Sequence, residues 1–494
     1  MVATNQLKEH SEVMDAALIM GTGVNKELLE QGNLLTPQAQ NAQANDLIVV
    51  VKCKSKADLF LDEAETILEK KSTPSTRVAA LPQTLRSAFR LHPNLNLAVI
   101  SVAGSYASRE AREALAAGLH VLLFSDNVSL EDEIALKKFA LQRNLLLMGP
   151  GAGTAILNGV GLGFANAIPH GAIGIVSAAG TGLQEVSTLL AKNGAGISQA
   201  LGTGGRDLSQ AVGGLTFFAA MDALQADENT KVLALISKPP DEEVTRHLMD
   251  RIKTTQKPVV LCLLGADVPA HVSDNLSFTP TLEECALTAL TLLKKNKSDI
   301  QKAIQKEDEE LKPFIAQWEE KFSQDQRYIR GLFSGGTLCY EAQVIWKDLL
   351  SNPVFSNAPL NKPYYLKDSN VSQGHSAVDL GEEEFTRGRP HPMIDNTLRI
   401  QRLVQEANDP ETAVIMLDVV IGYGAHPDPA GELGAAIRQM NQKDHHIAFV
   451  ASVTGTEGDP QGLSHSVKLL EDSGVLVGKS NAQVARLAAA LVKR

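Results

Sequence analysis

The chain has 494 residues, 44% of them hydrophobic and 21% charged, with a net charge of −11. That length exceeds one ordinary core and points to about three domains. The acidic balance argues against a general affinity for nucleic acid or anionic membranes, so any anion must be bound locally. The apolar runs are too short for a membrane-spanning helix and the N-terminus lacks a secretory layout, so a cytoplasmic protein is expected. Four scattered cysteines without a CxxC pair argue against a disulfide framework or a thiolate metal site.

From Leu47, apolar runs alternate with amphipathic stretches: LIVVV, LFLDEAETILEK, NLAVISVAG, AREALAAG, HVLLFS, EDEIALKKFALQR and NLLLMG. This βαβ rhythm predicts a doubly wound, Rossmann-like domain over residues 1–148. It resumes with AIGIVS, ISQALG, VLALIS and PVVLCLLG, giving a second α/β domain over 149–296. Residues 297–326, rich in Lys, Glu, Asp and Gln, read as a solvated helical linker.

Beyond the linker, in 327–494, the second domain repeats. GIVSAAGTGLQEVS (174–187) aligns with GLFSGGTLCYEAQV (331–344), each with Gly-Thr, three residues, then Glu. QADENTKVLALIS matches EANDPETAVIMLDVV, and KPVVLCLLGAD matches HHIAFVASVTGTEGD. Two related α/β domains in tandem are therefore expected.

Glycine-rich strand-to-helix turns carry the candidate chemistry, because backbone amides at a helix N-terminus suit phosphate. The first holds Ser177, Gly180 and Thr181, with Glu185 one turn on; Thr181-x-x-Gln184 also spells a capping box. Next, Gly204, Gly205 and Arg206 add a cation that either clamps an anion or pairs locally with Asp207. In the third domain Ser334, Gly336 and Thr337 repeat the turn. A proline-fixed loop then carries Arg387, Arg389 and His391, suited to a carboxylate or phosphorylated ligand and to proton transfer near neutral pH. Gly422-Tyr-Gly-Ala-His426-Pro-Asp428 follows an apolar strand, and Asp418 lies inside it. GxxxxGK[ST], HExxH and GxSxG are absent, and GVGLGF (159–164) lacks a downstream acidic strand end.

GIVSAAGTGLQE with LGTGGRDLSQAVGG resembles the α subunit of succinyl-CoA synthetase, where such a turn holds phosphate and a Glu at the position of Glu185 supports a phosphohistidine. Residues 99–155 resemble the CoA-binding domain of that family. DLGEEEF, AVIMLDVVIGYG and LLEDSGVLV resemble the β-subunit ligase domain. Over nearly its full length, through ALTLL, YIRGLFSGGTLCYEA and GRPHPMID, the chain is similar to the FdrA family, which has this fused layout. The resemblance implies tandem doubly wound domains: a Rossmann-like, degenerate CoA-binding domain, then two flavodoxin-like ligase domains.

Departures from the synthetase narrow the activity. GADVPAHVSD (265–274) replaces the Gly-His-Ala-Gly motif and leaves His271 as a displaced candidate; GPGAGT departs from the usual form, and no ATP-grasp domain is present. The FdrA resemblance implies a subunit of an oxamate carbamoyltransferase in purine catabolism, with phosphate as substrate, no metal, a hetero-oligomer with partner subunits, a homo-oligomer or both, and CoA as an open alternative. In that reading Gly180, Thr181, Gly204, Gly205 and Arg206 cradle phosphate, while Arg387, Arg389 and His391 engage the acyl partner. An acyl-CoA synthetase with a separate nucleotide-binding subunit and a non-catalytic scaffold or metabolite sensor are the alternatives.

Overall fold

The computed structural model describes the chain except residues 1–6, 8, 9, 11, 44, 55, 70–81, 267–274, 296–298, 442–445 and 494. It divides into two compact units: residues 1–91 with 387–389, and the remainder.

In the first unit β1 (Val13–Met20) and β2 (Leu47–Cys53) pair antiparallel. Alternation serves both faces: Val13 and Ala16 join Phe60 and Ala64 on one side, while Ile48 and Val50 join Leu29 and Ala39 on the other. This corrects the expected single doubly wound domain over 1–148. VMDAALIM, upstream of the rhythm that begins at Leu47, takes up LIVVV in a separate two-stranded sheet.

The second unit begins with a three-stranded parallel sheet, β3 (Leu97–Ile100), β4 (His120–Leu123) and β5 (Leu147–Met148), joined by helices Gly104–Ala116 and Leu130–Leu141. A hairpin follows, β6 (Thr154–Leu157) and β7 (Val160–Gly163). Its two-residue turn, Asn158-Gly159, has φ of 49° and 79°, the left-handed pair a tight hairpin needs. GVGLGF is thus largely the second arm of a hairpin and not a nucleotide turn.

Five parallel strands come next: β8 (His170–Ser177), β9 (Ile197–Gly202), β10 (Val232–Ser237), β11 (Val259–Leu263) and β12 (Leu276–Thr279). After the linker come β13 (Tyr328–Phe333), β14 (Val354–Ser356), β15 (His375–Asp379), β16 (Thr412–Val420), β17 (Ala448–Thr454) and β18 (Leu476–Gly478). One sheet runs β12-β11-β10-β8-β9 before adding the hairpin, and the other runs β18-β17-β16-β13-β15 before adding β14. The shared order is flavodoxin-like, as the internal repeat predicts.

β10 and β16 are buried along their whole length, as parallel strands covered on both faces require. Four helices, Gly180–Lys192, Leu282–Lys294, Gly336–Leu349 and Asn481–Val492, pack together, and one hydrophobic core runs through them. Trp346 anchors it, fully buried with its indole N–H on the Ala485 carbonyl at 2.9 Å. The charged linker folds as helices Ile300–Glu309 and Lys312–Glu319. It is docked as well as helical, because Arg486 bonds Asp308 at 2.6 Å and Ile304 is buried.

Candidate phosphate and acyl site

β8 runs into the first Gly-Thr turn, which the amide of Ala178 ties to the neighbouring strand through the Ile236 carbonyl at 3.0 Å. Ser177 is used locally: its Oγ accepts from the Ala179 amide at 3.0 Å and donates to the Ala179 carbonyl at 2.7 Å. Gly180 opens the helix, is exposed, and has no heavy atom within 4 Å of where a Cβ would lie. The next loop lies alongside, since the Thr203 amide donates to the Ser177 carbonyl at 2.8 Å. In it Gly205 is exposed, and Gly204 has φ +92° with a Cβ position 2.5 Å from the Pro150 carbonyl oxygen, a place only glycine can take.

Arg206 does not pair with Asp207. Its guanidinium lies 2.9 Å from Glu133 and donates to the Val128 carbonyl at 2.8 Å. Asp207 is buried and accepts from Lys137 at 2.6 Å and from the Phe217 amide at 2.7 Å, closing the N-terminus of helix Leu215–Ala226. Lys137 also lies 2.9 Å from Glu133. The expected phosphate clamp is therefore held in a charge network that joins the helix Leu130–Leu141 to the loop after β9.

The second turn is filled from within. The Asp418 carboxylate accepts the amides of Ser334 and Gly335, both at 2.8 Å, and the Ser334 hydroxyl at 3.1 Å. Arg399 supports it from behind, with Nη2 at 2.7 Å from Oδ1. An internal carboxylate thus occupies the amides that the sequence offers to a phosphate at Ser334. Across the same turn, a Cβ on Gly336 would strike the Asp379 carboxylate.

The two turns meet. The Thr337 amide donates to Thr181 Oγ1 at 3.2 Å, a Cβ on Gly335 would lie 2.8 Å from Thr181 Cγ2, and one on Gly182 would lie 2.9 Å from Thr337 Cγ2. The two glutamates are then exchanged between domains. Glu341 accepts the amide of Leu282 at 2.7 Å, whereas Glu185 accepts the amide of Asn481 at 3.0 Å. Leu282 and Asn481 each begin the last helix of their own domain, so each acid caps the other domain's helix. The Asn481 side-chain amide also reaches Glu341 at 2.8 Å, and Thr454 Oγ1 donates to Glu185 at 2.6 Å. Glu185, expected to be catalytic, is a buried interdomain fastener here.

Two groups given no role in the sequence reading approach this junction. Lys238 follows β10, whose Ile236 pairs with Ser177 at the end of β8. It is half-buried, with its ammonium 5.2 Å from the centre of the Tyr340 ring. Asp379 ends β15, and its Oδ1 accepts the Gly381 amide at 2.9 Å. Burial, with repulsion from Glu382, pushes this carboxyl up to about 7 against the pull of Lys238. The missed signal was positional: both sit at the carboxyl ends of strands, where ligand loops of an α/β sheet lie.

His391 differs from expectation. Its ring lies 5.7 Å from that of Phe164 and its Nδ1 accepts the Met393 amide at 3.2 Å. Burial pushes its pKa down to about 4, so the imidazole is neutral near pH 7 and suits hydrogen-bond donation from Nε2 better than the expected proton transfer. Arg387 and Arg389 are exposed and group with the first unit, so no site joining them to His391 is built here. Asp428 caps helix Pro429–Met440 through the Gly431 amide at 2.9 Å, and Tyr423 bridges to Ala165. His271 lies outside the described residues. Among the described residues no helix is long and apolar enough to cross a membrane.

The sequence model of the CoA-ligase family matches residues 332–491, that of a CoA-binding domain matches 170–265, and one described as AllF, heavy metal-associated domain, matches 1–82. The CoA-binding match covers β8 to β11, downstream of the 99–155 segment on which that resemblance was read. Residues 1–82 hold one cysteine, Cys53, and one histidine, His10, and among the described residues no cluster of three or more metal-ligating side chains occurs. That donor set does not fit a thiolate metal site.

The chain is 42% identical over 484 residues to the uncharacterized protein YahF of Escherichia coli K12, covering 96% of this chain and 92% of that one. It is 29% identical to the succinate–CoA ligase [ADP-forming] subunit alpha 1 of Archaeoglobus fulgidus over 36% of this chain, spanning 60% of that subunit's length. Among solved structures it is similar to ATP citrate lyase from Methanothrix soehngenii (TM-score 0.37, 15% identity, 44% of this chain and 42% of that one). PH0766 from Pyrococcus horikoshii is also similar (TM-score 0.34, 14% identity, 85% and 86% covered).

Proposed function

Because the chain belongs to the FdrA family of succinyl-CoA-synthetase-like proteins, we propose that it is a transferase subunit whose first Gly-Thr turn holds phosphate for carbamoyl transfer from oxalurate. One observation carries this reading. Of the two Gly-Thr turns, the second already holds the Asp418 carboxylate, whereas the first is open at Gly180, with the loop of exposed Gly205 alongside. A helix N-terminus with open backbone amides is a phosphate cradle.

In the proposed step a phosphate oxygen attacks the ureido carbonyl carbon of oxalurate. The bond from that carbon to the oxamate nitrogen breaks, the nitrogen takes the proton given up by phosphate, and carbamoyl phosphate and oxamate leave. Backbone amides at Gly180 and Thr181, with the loop at Gly204 and Gly205, orient the phosphate, and Lys238 offsets charge as the carbonyl becomes tetrahedral. Asp379, which shares its proton near neutrality, takes the proton-carrying role expected of His391. Partner subunits complete the substrate site.

The CoA-binding match at 170–265 favours a second reading, acyl-CoA formation with a separate nucleotide-binding subunit, in which the CoA pyrophosphate lies on the same Gly180 turn. One experiment separates the two. The chain, purified with its co-expressed partners, is given oxalurate and phosphate, and separately a carboxylic acid, CoA and ATP. Oxamate and carbamoyl phosphate in the first mixture are expected. Acyl-CoA in the second with no product in the first would replace carbamoyl transfer by ligation.

A further inference from the structure

At the far end of the Gly180 helix, about 18 Å from the phosphate turn at 1.5 Å per residue, lies a cavity of about 520 Å³. Its walls come from both flavodoxin-like domains and from the linker helix Ile300–Glu309. Leu189, Leu287, Ile304, Val453 and Val467 make them largely apolar.

Four charged side chains also line it: Lys192, Glu283, Glu307 and Lys479. Glu283 accepts from Ser480 at 2.5 Å and from Arg486 at 2.9 Å. Glu307 pairs with Lys479 at 2.8 Å. Lys192 is the odd one. Its ammonium donates to the carbonyls of Val453 at 2.7 Å and Lys479 at 3.4 Å, and it forms no ion pair among the described residues. Burial lowers its pKa, against the more distant attraction of Glu185 and Asp459. A cation at an apolar cavity, with neutral acceptors only and one proton to spare, is complemented by a single negative charge on an apolar body.

We propose that this cavity binds a small monocarboxylate with an aliphatic tail, its carboxylate on Lys192 and its tail among Leu189, Leu287 and Ile304. The volume falls within the range typical of small-molecule sites. Such a ligand touches both domains and the linker helix at once. The site is separate from the phosphate turn and does not rest on the carbamoyl reading.

Isothermal titration of the full chain with straight-chain carboxylates from butanoate to octanoate, and with the matching primary alcohols, tests it. One carboxylate per chain is expected, with affinity rising about fourfold per methylene until the cavity is full. Lys192→Met is expected to weaken carboxylates by about tenfold or more while leaving the weaker alcohols unchanged, and Lys192→Arg to retain most of the affinity. Ile304→Trp fills the cavity from the linker side, away from the Val453 bond, and abolishes both classes; circular dichroism verifies that each variant is folded. No carboxylate binding at millimolar concentration, equal binding of alcohols and carboxylates, or full binding in folded Ile304→Trp would each overturn the proposal.

Discussion

The Thr337 amide donates to Thr181 Oγ1, so the two repeated Gly-Thr turns are bonded to each other at the point where both helices begin. The glycines beside them are shaped by this meeting, because Gly335 gives way to Thr181 and Gly182 to Thr337.

Gly335→Ala is therefore expected to destabilise the protein by about 1–3 kcal/mol, since its methyl group lands within 3.0 Å of three Thr181 atoms in a packed interface. Thr181→Ala removes two of those atoms. In urea titrations the double variant should lose less than the sum of the single losses, a coupling of about 0.5 kcal/mol or more. Strict additivity would show that the turns do not touch.

Gly180→Ala and Gly336→Ala should part company. The first meets open space and should change stability by no more than about 0.5 kcal/mol, yet a methyl group at the amide end should weaken phosphate binding about tenfold. Gly336→Ala collides with Asp379 and should lower the thermal midpoint. Phosphate titration of the two purified variants decides it; undiminished affinity in Gly180→Ala would remove phosphate from that turn.

Arg206→Ala leaves the buried Glu133 with Lys137 as its ionic partner. Arg206 is half-exposed and screened by solvent, so a loss of only about 1 kcal/mol is expected, with phosphate affinity almost unaltered. A large fall in phosphate affinity at unchanged stability would return Arg206 to the ligand.

Stability should carry two opposed pH dependences. Burial pushes Glu341 from 4.5 up to about 8, overriding its bonds from Asn481 and Leu282, so the native state holds a proton that the unfolded chain releases. That contribution is full below pH 4.5 and is lost as pH rises towards 8; Asp379 acts with the same sign between 3.8 and about 7. His391, pushed from 6.5 down to about 4, acts oppositely: stability rises with pH across that window because the unfolded chain binds the extra proton. Urea unfolding from pH 4 to 9 should show a shallower alkaline fall in Glu341→Gln, and imidazole NMR should place the His391 midpoint near 4. A His391 midpoint near 6.5 would restore it as a proton carrier.

The tandem α/β architecture was legible because parallel strands buried on both faces are written as apolar runs, and because the repeat keeps Gly-Thr-x-x-x-Glu in register. β1 escaped because Asp15 and a polar lead-in mask its alternation. What anions meet at each turn was not legible. Asp418 reaches Ser334 from 84 residues away, and Glu133 reaches Arg206 from a separate sheet-and-helix layer; local spacing carries no trace of either. Lys238 belongs to no motif, and Asp379 opens DLGEEEF without a role assigned to it; both gain meaning from the strand order, which sets which β-ends are neighbours.

Leu282 serves Glu341 and Asn481 serves Glu185, so neither flavodoxin-like half contains the dipole that its own acid needs. Separated, each half would carry an acid facing solvent or an apolar gap, and a helix start without its hydrogen-bond acceptor. The halves are obligate companions in equal number, and a single polypeptide guarantees that ratio whatever the level of expression. Covalent continuity here acts as stoichiometric control: cutting the linker between Lys294 and Ile300 should yield fragments that refold together and fail to refold apart.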